Sequence, residues 1–389
     1  MPRLSPSMPN ASAKKLKIGL VLDDTLDTPD GVQQYVLAVG RWLAAQGHDV
    51  HYLVGQTQRT DIANTHSLGH NMRVRFNGNR MSMPLPASSK KLRALLAAER
   101  FDVLHVQMPY SPLLAGRIIR AASPQTAVVG TFHVAPQSRL VHAANRALGV
   151  WSRRSLRRFD RIAGVSLVAQ NFARATFGIE SEIIPNAVDL QPFFTAKPFP
   201  EYDNKQTIVF VGRLVERKGC QYLLHAIRRM VADGARDFQV LVCGRGPLEP
   251  ALKAYVQTHH LEEFVHFTGW ISEEDKPRYL ASADLAVYPS TGGESFGIVL
   301  IEAMAAARGM TLAGDNPGYR GLLEDHPEVL FDPKDEVALA RLLADCLQDT
   351  ARRASAHIWQ QKFAGQFDID VVGKELVTTY LAALSKHVE

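Results

Sequence analysis

The sequence predicts an α/β protein made of two doubly wound domains facing one cleft. Three observations carry this. Short, continuous apolar runs alternate with segments of helical period, as in strand–helix units that build parallel sheets covered on both faces. The alternation lapses once, in a Pro/Phe-rich stretch, and then restarts. With 389 residues, 46% apolar and 21% charged, the chain can bury two separate cores without a metal or disulfide staple.

Residues 1–13, rich in Ser, Pro, Asn and Met, read as a disordered tail. The first domain spans 14–190. Its first strand, 16–22, is uniformly apolar and ends at Asp23 and Asp24, as a strand buried on both faces would. A helix over 31–47 places Val32, Tyr35, Val36, Val39, Trp42 and Leu43 on one face and stops at Gly47. Strand 50–54, helix 88–99, strand 102–107, helix 111–122, strand 127–132, a long basic helix near 138–158 and strand 161–166 follow. The weakly patterned stretch 191–206 reads as the linker to a second domain, 207–365. There, strands 207–212, 238–244, 265–269 and 284–289 alternate with helices 220–234 and 248–256, and 297–307 reads as a strongly amphipathic helix. Residues 366–389 form a C-terminal segment.

Cys220, Cys243 and Cys346 are few, odd in number and far apart, which fits a reducing compartment and gives no zinc or redox framework. The N-terminus lacks a signal-peptide core, and no apolar run reaches the roughly 18 residues of a membrane span. A cytoplasmic protein is expected. The net charge of +5 hides an asymmetry: residues 1–195 carry 23 Lys+Arg against 12 Asp+Glu, and the remainder 21 against 27. The basic half therefore points to an anionic partner.

Ligands of open α/β sheets bind at the carboxyl ends of strands, so the loops there carry the chemistry. After strand 284–289, Gly292 and Gly293 permit a tight turn and close approach of a ligand. The amides opening the helix near Gly297 suit a phosphate. Glu294 and Glu302 stand eight residues apart, about 12 Å along a helix. That is too far for a glycosidase pair, which lies about 5–9.5 Å apart, so pairing with sugar hydroxyls is the expected use. In residues 212–219 (GRLVERKG), Arg213 and Lys218 can neutralise a diphosphate, or be a solvated pair in a tight turn. Gly31 opens the first helix and offers a backbone anion contact or a simple cap; His133 follows a buried strand, as a ligand contact or a packing residue. Basic residues cluster as Lys90, Lys91 and Arg93, and as Arg153, Arg154, Arg157, Arg158 and Arg161, with 153, 157 and 161 at i, i+4 spacing. They suit an anionic bilayer or a solvated face; no nucleic-acid-binding motif accompanies them.

Together, GGESFGIVLIEAMAA (an E-x7-E motif), GRLVERKG, IPNAVD, VLVCGRGPLEPALK, GVQQYV, FDVLHVQ, GTFH and FNGNR resemble the retaining glycosyltransferases of the GT-B fold. They resemble glycosyltransferase family 4, and within it the bacterial phosphatidylinositol mannosyltransferases. The resemblance runs from about residue 16 almost to the end. It implies a metal-independent, retaining hexosyltransferase without a cofactor, whose C-terminal helix crosses back to the first domain. It implies that Arg213 and Lys218 hold a donor diphosphate, that Glu294, Phe296, Gly297, Ile298 and Val299 hold the sugar and β-phosphate, and that Glu302 holds the ribose. Ile271 and Lys276 would lie at the base, Gly31 and Gln33 would approach from the first domain, and His133 would touch the sugar near the reacting carbon. Asn77 and Arg80 would face the acceptor headgroup. Lys90, Lys91, Arg93, Arg153, Arg154, Arg157 and Arg158 would contact the inner face of the membrane peripherally. GDP-mannose and a phosphatidylinositol are the implied partners. UDP-glucose with a glycolipid or soluble acceptor is the alternative, and a non-enzymatic basic protein binding membrane or nucleic acid is a third reading. Where family members continue the E-x7-E helix with A-x-G-x-P-V, this chain reads AAARGMTLAG.

Overall fold

A computed structural model describes residues 14–27, 30–76, 79–84, 88–133 and 155–387. The first domain contains β1 (Lys17–Leu22), β2 (Asp49–Val54), β3 (Thr65–Ser67), β4 (Asn71–Phe76), β5 (Asn79–Pro84), β6 (Val103–Gln107), β7 (Ala127–Phe132), β8 (Arg161–Gly164) and β9 (Glu182–Ile183). All but β4 and β5, which form a separate antiparallel hairpin, make a parallel seven-stranded sheet in the order β3-β2-β1-β6-β7-β8-β9. The second domain contains β10 (Gln206–Val211), β11 (Phe238–Cys243), β12 (Val265–Gly269), β13 (Leu285–Tyr288), β14 (Met310–Gly314) and β15 (Leu330–Phe331), again all parallel, in the order β12-β11-β10-β13-β14-β15. Strands β6, β7, β11, β13 and β14 are buried at every residue, which is why their sequences are apolar runs and not alternations.

In each domain, strand order reverses beside the first strand. The first sheet reverses between β1 and β6, the second between β10 and β13. Loops leaving such a pair of strands diverge and open a crevice. In the second domain those two loops are 212–219 and 289–297, the two segments richest in candidate chemistry. The C-terminal helix Ile369–Leu384 packs on the first domain: Ile369, Val372, Leu376 and Tyr380 join its core, and Trp42 Nε1 donates to Asp370 Oδ1 at 2.6 Å. Gly373 lets it lie against the Trp42 indole, where a Cβ would stand 2.7 Å from the ring.

Several expectations need correcting. The helix Ile298–Ala306 is not amphipathic; Leu300 through Ala306 are all buried, because it lies between the sheet and the helix Thr350–Ala364. Arg153, Arg157 and Arg161 do not share a helical face. Arg157 and Arg158 lie in a turn, and Arg161 opens β8, paired with Glu182 at 2.7 Å; Arg153 and Arg154 lie outside the described residues. The stretch 191–206 is partly regular, with a helical turn Gln191–Phe194 that buries Phe193. The three cysteines are free and buried. Among the described residues no helix is long and apolar enough to cross a membrane.

Candidate active site

The site is built where the loops after β10 and β13 meet. In the first, residues Glu216–Lys218 form a short 3-10 turn ending at Gly219, whose φ of +76° and approach to the Pro289 carbonyl exclude a side chain. The turn presents Arg217 and Lys218 to the second loop. There Glu294 Oε1 receives Arg217 Nη1 at 2.7 Å, Lys218 Nζ at 2.9 Å and Ser290 Oγ at 3.1 Å. Burial would raise the Glu294 carboxyl, but the Lys218 and Arg217 charges outweigh it and hold the group below its ordinary value. It is therefore an ionised acceptor at neutral pH. Ser290 and Thr291 are tied to the Arg217 carbonyl, which joins the two loops through the backbone as well.

Asn316 fixes the far side of this loop. Its amide donates to the carbonyls of Ser290 and Gly314, and its side-chain oxygen accepts from the amides of Gly318 and Tyr319. Gly297 precedes the buried helix with φ +95°, directly over the Tyr319 ring; a Cβ would come within 2.7 Å of it. The amides of the helix's first turn are left for an anion. Eight residues on from Glu294, Glu302 is buried and pairs with Lys276 Nζ at 2.7 Å, and Lys276 also meets Glu273 at 2.7 Å. Burial disfavours the Lys276 charge, yet the two carboxylates hold its value above the ordinary one.

The first domain closes over this loop. Ser295 Oγ donates to the His133 carbonyl at 2.5 Å, Arg213 Nη1 lies 3.9 Å from Asp30, and Gly31 faces Ile298, whose Cδ1 would be 3.6 Å from a Cβ. His133 is buried, its Nε2 2.6 Å from Gln107 Oε1 and its ring edge-on to Tyr35 at 4.9 Å. Burial drops its value to about 4, so it is neutral at physiological pH. Gln33 donates to Asp24 Oδ2 at 3.1 Å.

Of the sequence-derived set, Gly31, His133, Arg213, Lys218, Glu294, Gly297 and Ile298 are brought together at one cleft, whereas Phe296 is buried against the Phe367 ring and Gln33 is bonded to Asp24. Glu302 and Lys276 pair nearby, and Ile271 is half-buried in the loop after β12. Arg213 and Lys218 do not act as a pair: Arg213 is 41% exposed and turned to Asp30, while Lys218 is on Glu294. Asn77 lies outside the described residues, and Arg80 is in β5. Lys90, Lys91, Arg93 and Arg157 are exposed, but Arg158 is engaged, its Nη2 donating to the carbonyls of Ser123 and Thr126. Arg217, Ser290, Ser295 and Asn316 were not singled out from sequence. A third cation in GRLVERKG was the signal for Arg217; for the others the side-chain geometry of the turn alone decides.

One donor atom from each of His51, His66 and Glu99 lies within 4.8 Å of the others, at the opposite end of the first sheet. The two imidazoles are hydrogen-bonded at 2.9 Å and Lys17 Nζ lies 2.5 Å from Glu99, so these donors already have partners.

Residues 29–192 match the model of Glycosyltransferase Family 4, and residues 194–362 that of Glycosyl transferases group 1. The chain is 31% identical over 370 residues to the phosphatidyl-myo-inositol mannosyltransferase of Mycolicibacterium smegmatis, covering 94% of this chain and 93% of that one. It is 30% identical over 374 residues to the protein of that name from Mycobacterium tuberculosis, covering 94% and 96%. Among solved structures it resembles sucrose-phosphate synthase from Thermosynechococcus elongatus (TM-score 0.71, 19% identity, 96% of this chain and 100% of that one). It also resembles Anabaena Alr3699/HepE in complex with UDP-glucose (TM-score 0.70, 18% identity, 94% and 99%).

Proposed function

The chain belongs to glycosyltransferase family 4 and carries the GT-B fold, and from that premise we propose that it moves a hexose from a nucleotide sugar to a lipid headgroup with retention at the anomeric carbon. Mannose from GDP-mannose, with a phosphatidylinositol as acceptor, is the favoured pair. The observation that carries the proposal is the ionised Glu294, held by Arg217 and Lys218 beside the free helix N-terminus and opposite the Gly31 helix. An anionic acceptor of hydroxyl protons, an anion-binding backbone and a mobile ammonium are what a sugar diphosphate needs.

In this reading the amides after Gly297 and the Lys218 ammonium take up charge that builds on the departing diphosphate. Glu294 binds sugar hydroxyls, Glu302 the ribose, and the neutral His133 side chain lies beside the reacting carbon. Ile271 and Lys276 border the base. The bond from the anomeric carbon to the diphosphate oxygen breaks, the bond to the acceptor oxygen forms on the same face, and the acceptor proton passes to the leaving phosphate. No metal is invoked, since in this reading the Lys218 ammonium and the helix amides meet the diphosphate. Asn77 and Arg80 would face the headgroup, and Lys90, Lys91, Arg93 and Arg157 would dock the first domain on the anionic inner face of the membrane. The names of the relatives, at about 30% identity across the chain, support the lipid acceptor.

The test is a transfer assay on phosphatidylinositol vesicles with GDP-mannose or UDP-glucose, with and without EDTA, and product anomers read by NMR. Mannosylation with retained configuration in EDTA is expected, and Glu294→Ala should lose at least about 100-fold of it. Transfer by the variant at the wild-type rate overturns the site; an inverted product overturns the proposed chemistry; glucose transfer alone overturns the donor.

A further inference from the structure

We infer that Arg217 is a positioning residue for transfer: it holds Glu294 so that Lys218 can leave that carboxylate for the donor diphosphate. The inference rests on reading this cleft as the donor site and adds a residue to it.

Three donors converge on a single oxygen of Glu294. Arg217, Lys218 and Ser290 all reach Oε1, and no described residue donates to Oε2. The carboxylate is anchored through one oxygen and presents the other. Two cations serve this one negative charge, which is more than its neutralisation needs. They differ in what they can do next. The Arg217 guanidinium is rigid, and its Nη1 also lies 3.5 Å from the Gly293 carbonyl, within the loop that carries Glu294. The Lys218 ammonium is a compact point charge on a flexible stem, with no other ion pair than Glu294 among the described residues.

When a diphosphate enters at the helix N-terminus, Lys218 is the cation free to turn to it. Glu294 would then be a buried carboxylate with no ionic partner, a costly state, were Arg217 not there. With Arg217 in place the exchange costs little, and Glu294 keeps its orientation toward the sugar. Without it, Lys218 must serve both anions. The Arg217 backbone contribution is separate, because its carbonyl bonds to Ser290 and Thr291 whatever the side chain is.

The test is a double-mutant cycle read by binding and kinetics on the full chain. Dissociation constants for GDP-mannose and GDP, with UDP-glucose and UDP in parallel, are measured for wild type, Arg217→Gln, Arg217→Lys, Glu294→Gln and the Arg217→Gln/Glu294→Gln pair. Arg217→Gln should weaken nucleotide-sugar binding and lower kcat/KM at least about tenfold. Arg217→Lys should restore most of both. In the Glu294→Gln background the Arg217 change should cost less than about twofold, because its partner is gone. An equal loss in both backgrounds overturns the inference, since Arg217 would then touch the ligand itself; so does an Arg217→Gln protein with wild-type constants. A wild-type chain that binds none of the four nucleotides overturns the donor-site reading as well, and is told apart by failing before any substitution is made.

Discussion

Glu294 and Asp23 are both buried carboxylates at strand ends, and their surroundings push them in opposite directions. Glu294 meets two cations and is held down. Asp23 meets none: burial pushes it up to about 6, and the Ser111 hydroxyl and the amides of Ala115 and Leu114 offset only part of that. Those amides open the helix Leu114–Ala121, so Asp23 ties the end of β1 to a helix start. The folded state therefore prefers the protonated acid. Its contribution to stability is complete below the ordinary value of 3.8 and is lost as pH rises through about 6. Relative to Asp23→Asn, the wild-type chain should lose up to about 3 kcal/mol between pH 4 and pH 7.5. Asp24, also raised to about 6 by burial, is present in both proteins and largely cancels. Urea unfolding at several pH values measures the difference. A difference that does not change with pH would show that Asp23 is paired or solvated in the native state.

At the scale of elements, the glycines around the buried helix set the loop's shape. A side chain at 297 must both adopt φ near +95° and displace the Tyr319 ring. Gly297→Ala should therefore cost about 1–3 kcal/mol and also displace the first-turn amides that the proposed function assigns to the donor phosphate. Its melting temperature should fall, and its affinity for GDP with it; a stable variant with full affinity would mean that the loop has another conformation to use. This helix also marks the limit of what sequence makes legible. The strands were readable because β1, β10, β11 and β13 are apolar runs closed by Asp, Gly or Pro and β6 and β7 are largely apolar runs as well, and the E-x7-E loop was readable from its double glycine. Amphipathicity was misjudged because Glu302 looks like a solvent face, although Lys276 buries it. The β4–β5 hairpin was missed although NMRVRF alternates polar and apolar residues strictly, because it lacks the continuous apolar run by which the buried parallel strands stand out. Nor can spacing tell which of three cations meets Glu294; the 3-10 turn decides it, and it selects Arg217 and Lys218 over Arg213.

Across the whole molecule, two kinds of contact join the domains. The C-terminal helix is a permanent one. Tyr380 meets His105 Nδ1 at 2.8 Å, and His105 Nε2 meets Thr131 at 2.7 Å, all buried within the first-domain core. Burial takes His105 down to about 3, so this chain of bonds keeps one protonation state through the physiological range. The contacts across the cleft are polar and apolar together: Ser295 to the His133 carbonyl, Arg213 toward Asp30 at 3.9 Å, and Gly31 on Ile298. Phe132, Val165, Ala169, Phe172 and Ala173 of the first domain are continuous with the second domain's core, where helix Leu167–Phe177 meets helix Pro317–Leu322. Opening the cleft would part the Ser295 hydrogen bond along with apolar contact, and that hydrogen bond is the latch a single substitution can remove. Ser295→Ala removes the latch while leaving Glu294 and its cations in place. The loss of one such hydrogen bond, about 1 kcal/mol, should shift the open-to-closed ratio roughly fivefold. Small-angle scattering should then give a larger radius of gyration for the free variant than for the free wild type, and saturating GDP-mannose should bring the two together. Equal radii without ligand would mean that apolar contact such as Gly31 on Ile298 holds the cleft, and that closure does not depend on the serine.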